Sequence, residues 1–553
     1  MDNIRLFLWV GLVAVLWLNY MAYVRDHPPP QSQTAVSTRQ TPPASRNTEA
    51  PPKTPGETAE TPLAGAAHGQ IPSATAAVGP PAMPIHVRTD VYDLVIDPHG
   101  GNIVRVDLPE YPVHKDQPDV PVRMLDYRAD DRWLIQTGLT RQGDTAEPDQ
   151  TATYRASSNS FTMAPGEDKL VVKLDWVNPG GVDASKIYTF TRGSYRVDVD
   201  IQLHNHGAQA WQVASYAQML RMHQSVKRHI GDIESYSFKG PVLYNGDHYK
   251  KLDFDDLKKT PIAETVQDGW LAGIEHHFVA AVIPPDDQAV QFHASAQDDN
   301  WTIRAVTPVT TVAPGQSHDF PITLFIGPKL QKQLATTADD LQRTVDYGVL
   351  SVLAQPLFLI LSKVERVTGN WGWAIIIVTI LIKLAFYKLT EISGRSMAKM
   401  RRLQPRIKAL QERYKEDRQA QSQAMMELYK KEKVNPAAGC LPMIIQMPFF
   451  FAWYWVLIES VEIRQQPFML WIGDLSVRDP YYILPVLMGV AYFVQSRLAP
   501  TPTTDPMQAR IMQIVPLAFT VFFAFFPSGL VLYYLTNTVL GILQQWRINQ
   551  VVA

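Results

Sequence analysis

Hydrophobic and polar positions change their spacing several times along the chain, and each change marks a different element. Ile4 to Val24 is apolar apart from Arg5 and Asn19. This run is longer than a signal-peptide core, and the following Ala22-Tyr-Val-Arg-Asp26 offers no small-residue cleavage site. An uncleaved signal-anchor span is therefore expected over residues 1–27. Residues 28–84 carry thirteen prolines among Ser, Thr, Ala and Gln. Such a composition buries too little apolar surface to offset its ordering entropy, and reads as a flexible tether. From residue 85 the period becomes two. In Tyr195-Arg-Val-Asp-Val-Asp-Ile-Gln-Leu203, Val197, Val199, Ile201 and Leu203 share one face. Lys186–Thr191 and Arg192-Gly-Ser before it complete a hairpin signal. Further strands are expected at Tyr92–Ile96, Asn102–Leu108, Leu170–Trp176, Phe278–Ile283 and Ile322–Ile326, making residues 85–328 one large antiparallel β-sandwich.

Helical spacing takes over at residue 329. Leu341, Val345, Val349, Val352 and Leu353 form a stripe, while Pro356, Lys363, Glu365 and Arg366 argue against a span. Residues 329–366 thus read as an amphipathic helix region lying on a membrane surface. Residues 367–553 hold five apolar segments: Trp371–Tyr387, Leu441–Val461, Tyr481–Ser496, Ile511–Phe526 and Gly529–Trp546. With the first anchor they give six spans, so the fold class is a polytopic α-helical membrane protein with a large β-domain. Between the first two core spans, residues 392–434 carry twelve basic and five acidic residues, net +7. Two helices, Ser396–Tyr414 and Gln419–Lys433, fit there as an antiparallel hairpin. Its basic excess places it in the cytoplasm, which puts the β-domain outside and both termini inside.

Composition narrows the chemistry. The chain has 553 residues and a formal net charge of −2, so no global field favours nucleic acid. A mean hydropathy of −0.11 averages a polar half with an apolar one. Cys440, the single cysteine, precludes an internal disulfide. No Walker loop, strand-linked GxGxxG, HExxH or paired CxxC occurs, which excludes the usual nucleotide and zinc motifs. His204 with His206, and His276 with His277, lack a third ligand at suitable spacing, so no metal and no cofactor are expected. The informative residue is Lys383, within an apolar span and four residues after Thr379 on the same face. A lysine there either snorkels to the surface or faces a wet cavity. Gln446, Gln513, Thr520, Tyr533, Tyr534 and Asn537 lie in other core spans. Each alone makes an interhelical hydrogen bond; together with Lys383 they suggest a polar pocket inside a bundle. Pro448 and Pro516 permit local kinking beside it.

Four motifs then become recognisable: Asn435-PAAGCLPMIIQMPF-Phe450, Asp479-PYYILPVLMG-Val490, Asp505-PMQARI-Met512 and Phe526-PSGLVLYY-Leu535. They resemble the YidC/Oxa/Alb insertase family in its Gram-negative form, and the resemblance runs over essentially the whole chain. It implies an inner-membrane insertase and chaperone, not an enzyme. It needs no cofactor and receives nascent transmembrane segments in a hydrophilic groove before releasing them into lipid. Lys383 falls where the family usually has arginine, which keeps the charge but loses the bidentate fork. By resemblance Thr379, Gln446 and Tyr534 are substrate-groove residues; Tyr533, Asn537, Gln513 and Thr520 are candidates for further lining on their polar spacing alone. Implied partners are nascent membrane proteins, the lipid bilayer, the Sec translocon with its accessory subunits, and the ribosome through the basic hairpin. Tail-mediated ribosome contact is not expected from Gln550-Val-Val-Ala553. The resemblance makes the β-domain a supersandwich scaffold or partner surface. Two other classes compete. A small-anion transporter would show an internal repeat, and none is evident. A membrane-anchored carbohydrate-binding protein would leave five spans and the basic hairpin unexplained.

Overall fold

The computed structural model describes residues 83–141, 147–178, 181–224, 237–415, 417–432, 441–498, 514, 518 and 520–552. The expected signal anchor, the tether up to residue 82 and Gln513 lie outside them.

Strand Arg196–Asn205 pairs antiparallel with Val182–Thr191 on one side and Ser317–Pro328 on the other. Its inward residues Val197, Val199, Ile201 and Leu203 are all buried, as the alternation predicts. Gly193 takes a φ of 68° in the turn, a conformation glycine adopts without a Cβ penalty. These strands belong to a nine-stranded sheet, accompanied by five- and six-stranded sheets. Leu94, Val199 and Met219, one from each sheet, enter the same apolar core. This is a sandwich-rich β-domain, richer in strands than the alternation reveals. Trp133–Arg141 and Trp211–Met222 pair with each other and are buried on both faces, which erases the period of two.

Two polar constructions hold this domain. Lys186 is completely buried, and its ammonium donates to Gly100 O (2.8 Å), Thr137 O (2.7 Å) and Asn102 Oδ1 (3.4 Å). Burial pushes that ammonium down to about 7, with the Asp149 charge pulling the other way. On the five-stranded sheet, Arg88, Asp93, Arg105, Asp107, Arg123, Asp126 and Arg128 form one continuous ladder of ion pairs between 2.7 and 3.7 Å.

The described residues include nine α-helices: α1 (Phe254–Lys259), α2 (Gln331–Thr337), α3 (Ser351–Thr368), α4 (Trp371–Ala385), α5 (Tyr387–Arg413), α6 (Arg418–Lys431), α7 (Leu441–Glu459), α8 (Ile483–Leu498) and α9 (Ser528–Val552). Two expectations change here. Pro356, which argues against a span in the sequence, sits within α3, and the open face of α3 carries Val352, Leu359 and Ile360. With its preceding turn, Gly348–Thr368 is the one unbent helix among the described residues long and apolar enough to cross a membrane. The expected span Trp371–Tyr387 stops at Ala385, and the chain then bends by 61° into Tyr387–Ser396, the start of α5. Counting that bent pair as one span gives two such crossings, and α8 is a shorter apolar helix. The expected six-span count is therefore not reached among the described residues. The hairpin does form: Met400, Leu403 and Ile407 of α5 pack against Met425, Leu428 and Tyr429 of α6. Its first helix begins at Tyr387, nine residues earlier than the charge pattern suggests.

The β-domain docks on the helical part through the connection after α7. Arg464 donates to Pro112 O and Val113 O (2.9 and 3.1 Å), and Gln465 Nε2 to Pro112 O (3.0 Å). In return Lys115 donates to Gln465 O (3.0 Å) and to Gly473 O. Ser237 donates to Glu459 Oε1 (2.8 Å), Gln331 N to Glu462 Oε1 (3.1 Å), and Tyr347 shares a hydrogen bond with Ser460 (3.0 Å).

Candidate functional site

Helix α4 is nearly all Ile, Leu, Val, Ala and Trp, and Asn370 caps it by accepting from Trp373 N. Lys383 sits in its last turn. Carbonyls at a helix C-terminus carry partial negative charge, so the end of α4 favours a cation. Lys383 is half-buried, and no hydrogen bond or ion pair to its ammonium exists among the described residues. It lines a recess with Ile382, Phe386, Leu389, Thr390, Ile445 and Gln446, about 320 Å³ counting the space at its mouth. The bend after Ala385 forms one wall, since Phe386, Leu389 and Thr390 belong to the redirected chain. Phe386 packs edge-on against Phe449 of α7, 5.1 Å between centroids.

The structure distributes the expected site residues unevenly. Gln446 of α7 lines the recess and donates to Asn537 Oδ1 of α9 at 3.1 Å. Asn537, Gly541 and Gln544 recur at i, i+4 and i+7, so they share one face of α9. Gln544 Nε2 donates to Tyr387 O at the bend (3.2 Å). Thr379 is buried, its hydroxyl bonding back to Ile375 O at 2.6 Å within its own helix. Tyr534 lies in an aromatic cluster with Phe450 and Phe523 at 4.8 and 4.6 Å. Tyr533 is buried and stacks on Trp453 at 5.1 Å. Thr520 packs its hydroxyl against the backbone of Gly489 in α8. Thus Lys383, Gln446 and Asn537 converge, while the tyrosines and threonines face packing contacts.

Two residues escaped the sequence reading. A Cβ built on Gly541 would lie 3.3 Å from Gln495 Nε2 and 3.8 Å from Lys383 Nζ. Gln495 of α8 is a polar interruption of an apolar helix, the same signal that singles out Gln446. Gly541 carries no such signal.

Each histidine pair has one acidic neighbour. His206 approaches Asp183 at 3.4 Å, and His276 approaches Glu459 at 3.7 Å. Burial pushes His276 down to about 3 and lowers His277 as well, so both imidazoles are neutral at pH 7. No group of three or more metal-ligating side chains exists among the described residues.

Comparison with known proteins closes the identification. Residues 84–360 match a family described as the YidC periplasmic domain, and residues 363–553 one described as the 60Kd inner membrane protein. The membrane protein insertase YidC of Thioalkalivibrio sulfidiphilus is 43% identical over 565 residues, covering 100% of this chain and 98% of that protein. The protein of the same name from Methylobacillus flagellatus is 43% identical over 552 residues, covering 100% and 97%. A crystal structure of an active YidC insertase with its first transmembrane domain resolved aligns over 84% of this chain and 93% of that one, at 18% identity and a TM-score of 0.36. The chain belongs to the YidC family of membrane protein insertases, inner-membrane proteins with a periplasmic domain.

Proposed function

We propose that the recess beside Lys383 is part of a hydrophilic groove that takes up a nascent transmembrane segment from the cytoplasm. Passing a polar flank through hydrocarbon leaves each backbone group unsatisfied at several kcal/mol, and a wet groove reaching partway across shortens that barrier. The observation that carries the reading is Lys383 itself, a half-buried cation at the end of an apolar helix, without a counter-ion among the described residues. It attracts acidic residues in the substrate's flank, which the membrane potential also draws outward. The Gln446–Asn537 pair supplies a polar wall, and Tyr534 with Phe450 an apolar one. Meeting lipid then drives the apolar segment out. In this reading the chain crosses the membrane six times with both termini inside. Its basic hairpin faces the cytoplasm and receives substrate, and the Sec translocon serves as a partner for larger clients.

Photo-crosslinking of ribosome-stalled single-span chains tests the proposal, with a probe at Gln446 and a control probe on the exposed face of α3, run with and without translocon. Adducts concentrated at Gln446 in both conditions are expected. Equal labelling at the two positions refutes the groove.

A further inference from the structure

A lysine in the last turn of an apolar helix draws that helix toward the water at its own end. Apolar faces resist such a slide weakly, because lipid tails are as apolar as the Leu and Ile side chains they replace. The resistance has to come from the other end of α4, and that end is tied twice. Asn370 Nδ2 donates to Phe468 O (3.0 Å) and Pro467 O (3.4 Å), while Oδ1 of the same side chain accepts from Trp373 N. The Phe468 ring lies directly over Gly372, where any Cβ would overlap it. Trp373 meets the same ring edge-on, 5.6 Å between centroids. Gly372 is the one glycine of α4, so the ring fits against this helix at a single height.

The loop that carries Phe468 is rigidly seated. Gln465–Ser476 closes on itself, with Leu475 N donating to Gln466 O (2.9 Å) and Phe468 N to Ile472 O (3.0 Å). Ser528 at the start of α9 donates from Oγ to Asp474 O (2.7 Å) and Val477 O (2.8 Å), and Gly529 N donates to Leu475 O (2.9 Å). Lys115 of the β-domain holds Gln465 O and Gly473 O from the other side. The loop thereby fixes the start of α4 against the start of α9, the helix whose Gly541 lies beside Lys383.

We propose that Asn370 and Phe468 are positioning residues for Lys383, forming a register stop that keeps α4, and with it the cation, at one depth. The inference rests on the groove reading above and adds to it the device that sets the height of the charge. The two hydrogen bonds of Asn370 carry the tension along the helix, and the ring on Gly372 selects the height. Without the stop, Lys383 gains hydration by drawing α4 toward its own end, and the recess at the bend loses its cation. An apolar helix without such a lock takes its depth from interfacial anchors alone, here Trp371 and Trp373.

The test uses the full chain reconstituted in vesicles, with Cys440→Ser and a nitroxide on Leu384→Cys, an exposed position next to Lys383. The ratio of oxygen to nickel-chelate accessibility reads the depth of the label. Phe468→Ala and Asn370→Ala should each move the label toward water, by up to about 5 Å, one helical turn. Phe468→Leu still fills the space over Gly372 and should keep the original depth. Gly372→Ala should shift the label by itself and add nothing to Phe468→Ala, since the ring it meets is gone. Adding Lys383→Leu to Phe468→Ala removes the pull and should restore the depth. A label that stays in place in Phe468→Ala overturns the stop, because the tryptophan anchors then suffice. A shift that persists with Lys383→Leu also overturns it, since the loop then only packs. Protease protection of a single-span substrate, measured on the same vesicles, tests the groove reading separately. A moved label with insertion at the wild-type level leaves the stop standing and refutes the groove, whereas lost insertion with an unmoved label refutes the stop alone.

Discussion

Lys186 in the β-domain and Lys383 in the helical part are both withdrawn from water, yet their surroundings are opposite. Lys186 is enclosed by Gly100 O, Thr137 O and Asn102 Oδ1, one acceptor for each ammonium hydrogen. Lys383 has none among the described residues. A buried charge with every hydrogen bond made is a structural tie, and its removal strands the acceptors. A half-buried charge with none weakens its own helix, so what keeps it lies outside the fold. The contrast separates a residue that holds the molecule together from one that waits for a ligand, and stability measurements can break it.

The largest effect is expected at Lys186. Lys186→Ala leaves three buried acceptors and a cavity and should destabilise the β-domain by about 3–5 kcal/mol, read by hydrogen exchange along Val182–Thr191 in the intact protein. Its pH dependence has a definite sign. The folded ammonium titrates near 7 and the unfolded one near 10.5, so the folded chain binds fewer protons between those values. The lysine's contribution to stability therefore rises with pH from about 7 to 10.5, and Lys186→Met should remove that rise. An unchanged slope would mean that the ammonium keeps its proton throughout.

Asp126 comes next. Burial alone would raise its carboxyl, but the Arg128 backbone N–H and the Arg128 and Arg123 guanidinium groups hold it below the usual range. Its contribution is present above the ordinary carboxylate pKa and lost as pH falls through the lower folded value. Asp126→Ala should cost on the order of 1–3 kcal/mol at pH 7, read by chemical denaturation, with the loss shrinking in acid.

Lys383→Ala should change stability in the other direction. A lone charge at mid-membrane costs about 2.5–3.5 kcal/mol on insertion scales, and the end of α4 offsets part of that, leaving a gain of about 1 kcal/mol. Thermal unfolding in detergent measures it, and a destabilised variant would place Lys383 with Lys186 as a structural tie. The smallest effect belongs to Gln446→Leu. It breaks one hydrogen bond to Asn537, worth about 0.5–1.5 kcal/mol, and the same melting assay should show a shift of that size without any dependence on substrate.

How much of this was visible beforehand follows from periodicity. Arg196–Asn205 was legible because one of its faces is buried and the other is not. Trp211–Met222 was not, since both faces are buried and a continuous apolar run suits a helix equally well. The bend after Ala385 carries no Gly or Pro, so nothing in Leu384-Ala-Phe-Tyr387 announces that the span ends there. Lys383 stands out in any hydropathy reading because a charge interrupts Ile and Leu. Its convergence with Gln495 does not, since residues 383, 495 and 541 meet only once three helices have packed. At Gly541 the relevant property is an absent atom, which no pattern of side chains can display.

The seam between the β-domain and the helical part is built in an unusual chemical dialect. Arg464 and Gln465 address the carbonyls of Pro112 and Val113, and Lys115 addresses those of Gln465 and Gly473. Every acceptor in that set belongs to the main chain, which all twenty residues supply alike. At these carbonyls neither side has to co-vary with the side chains of the other, whereas Ser237 and Glu459 meet side chain to side chain. Positions 112, 113 and 473 are free to drift over generations as long as their backbone path is kept, whereas Lys115, Arg464 and the amide of Gln465 are not. Relatives could exchange one half of the molecule with little loss of docking, and a chimera joining this β-domain to a relative's helical part is the natural place to look for that tolerance.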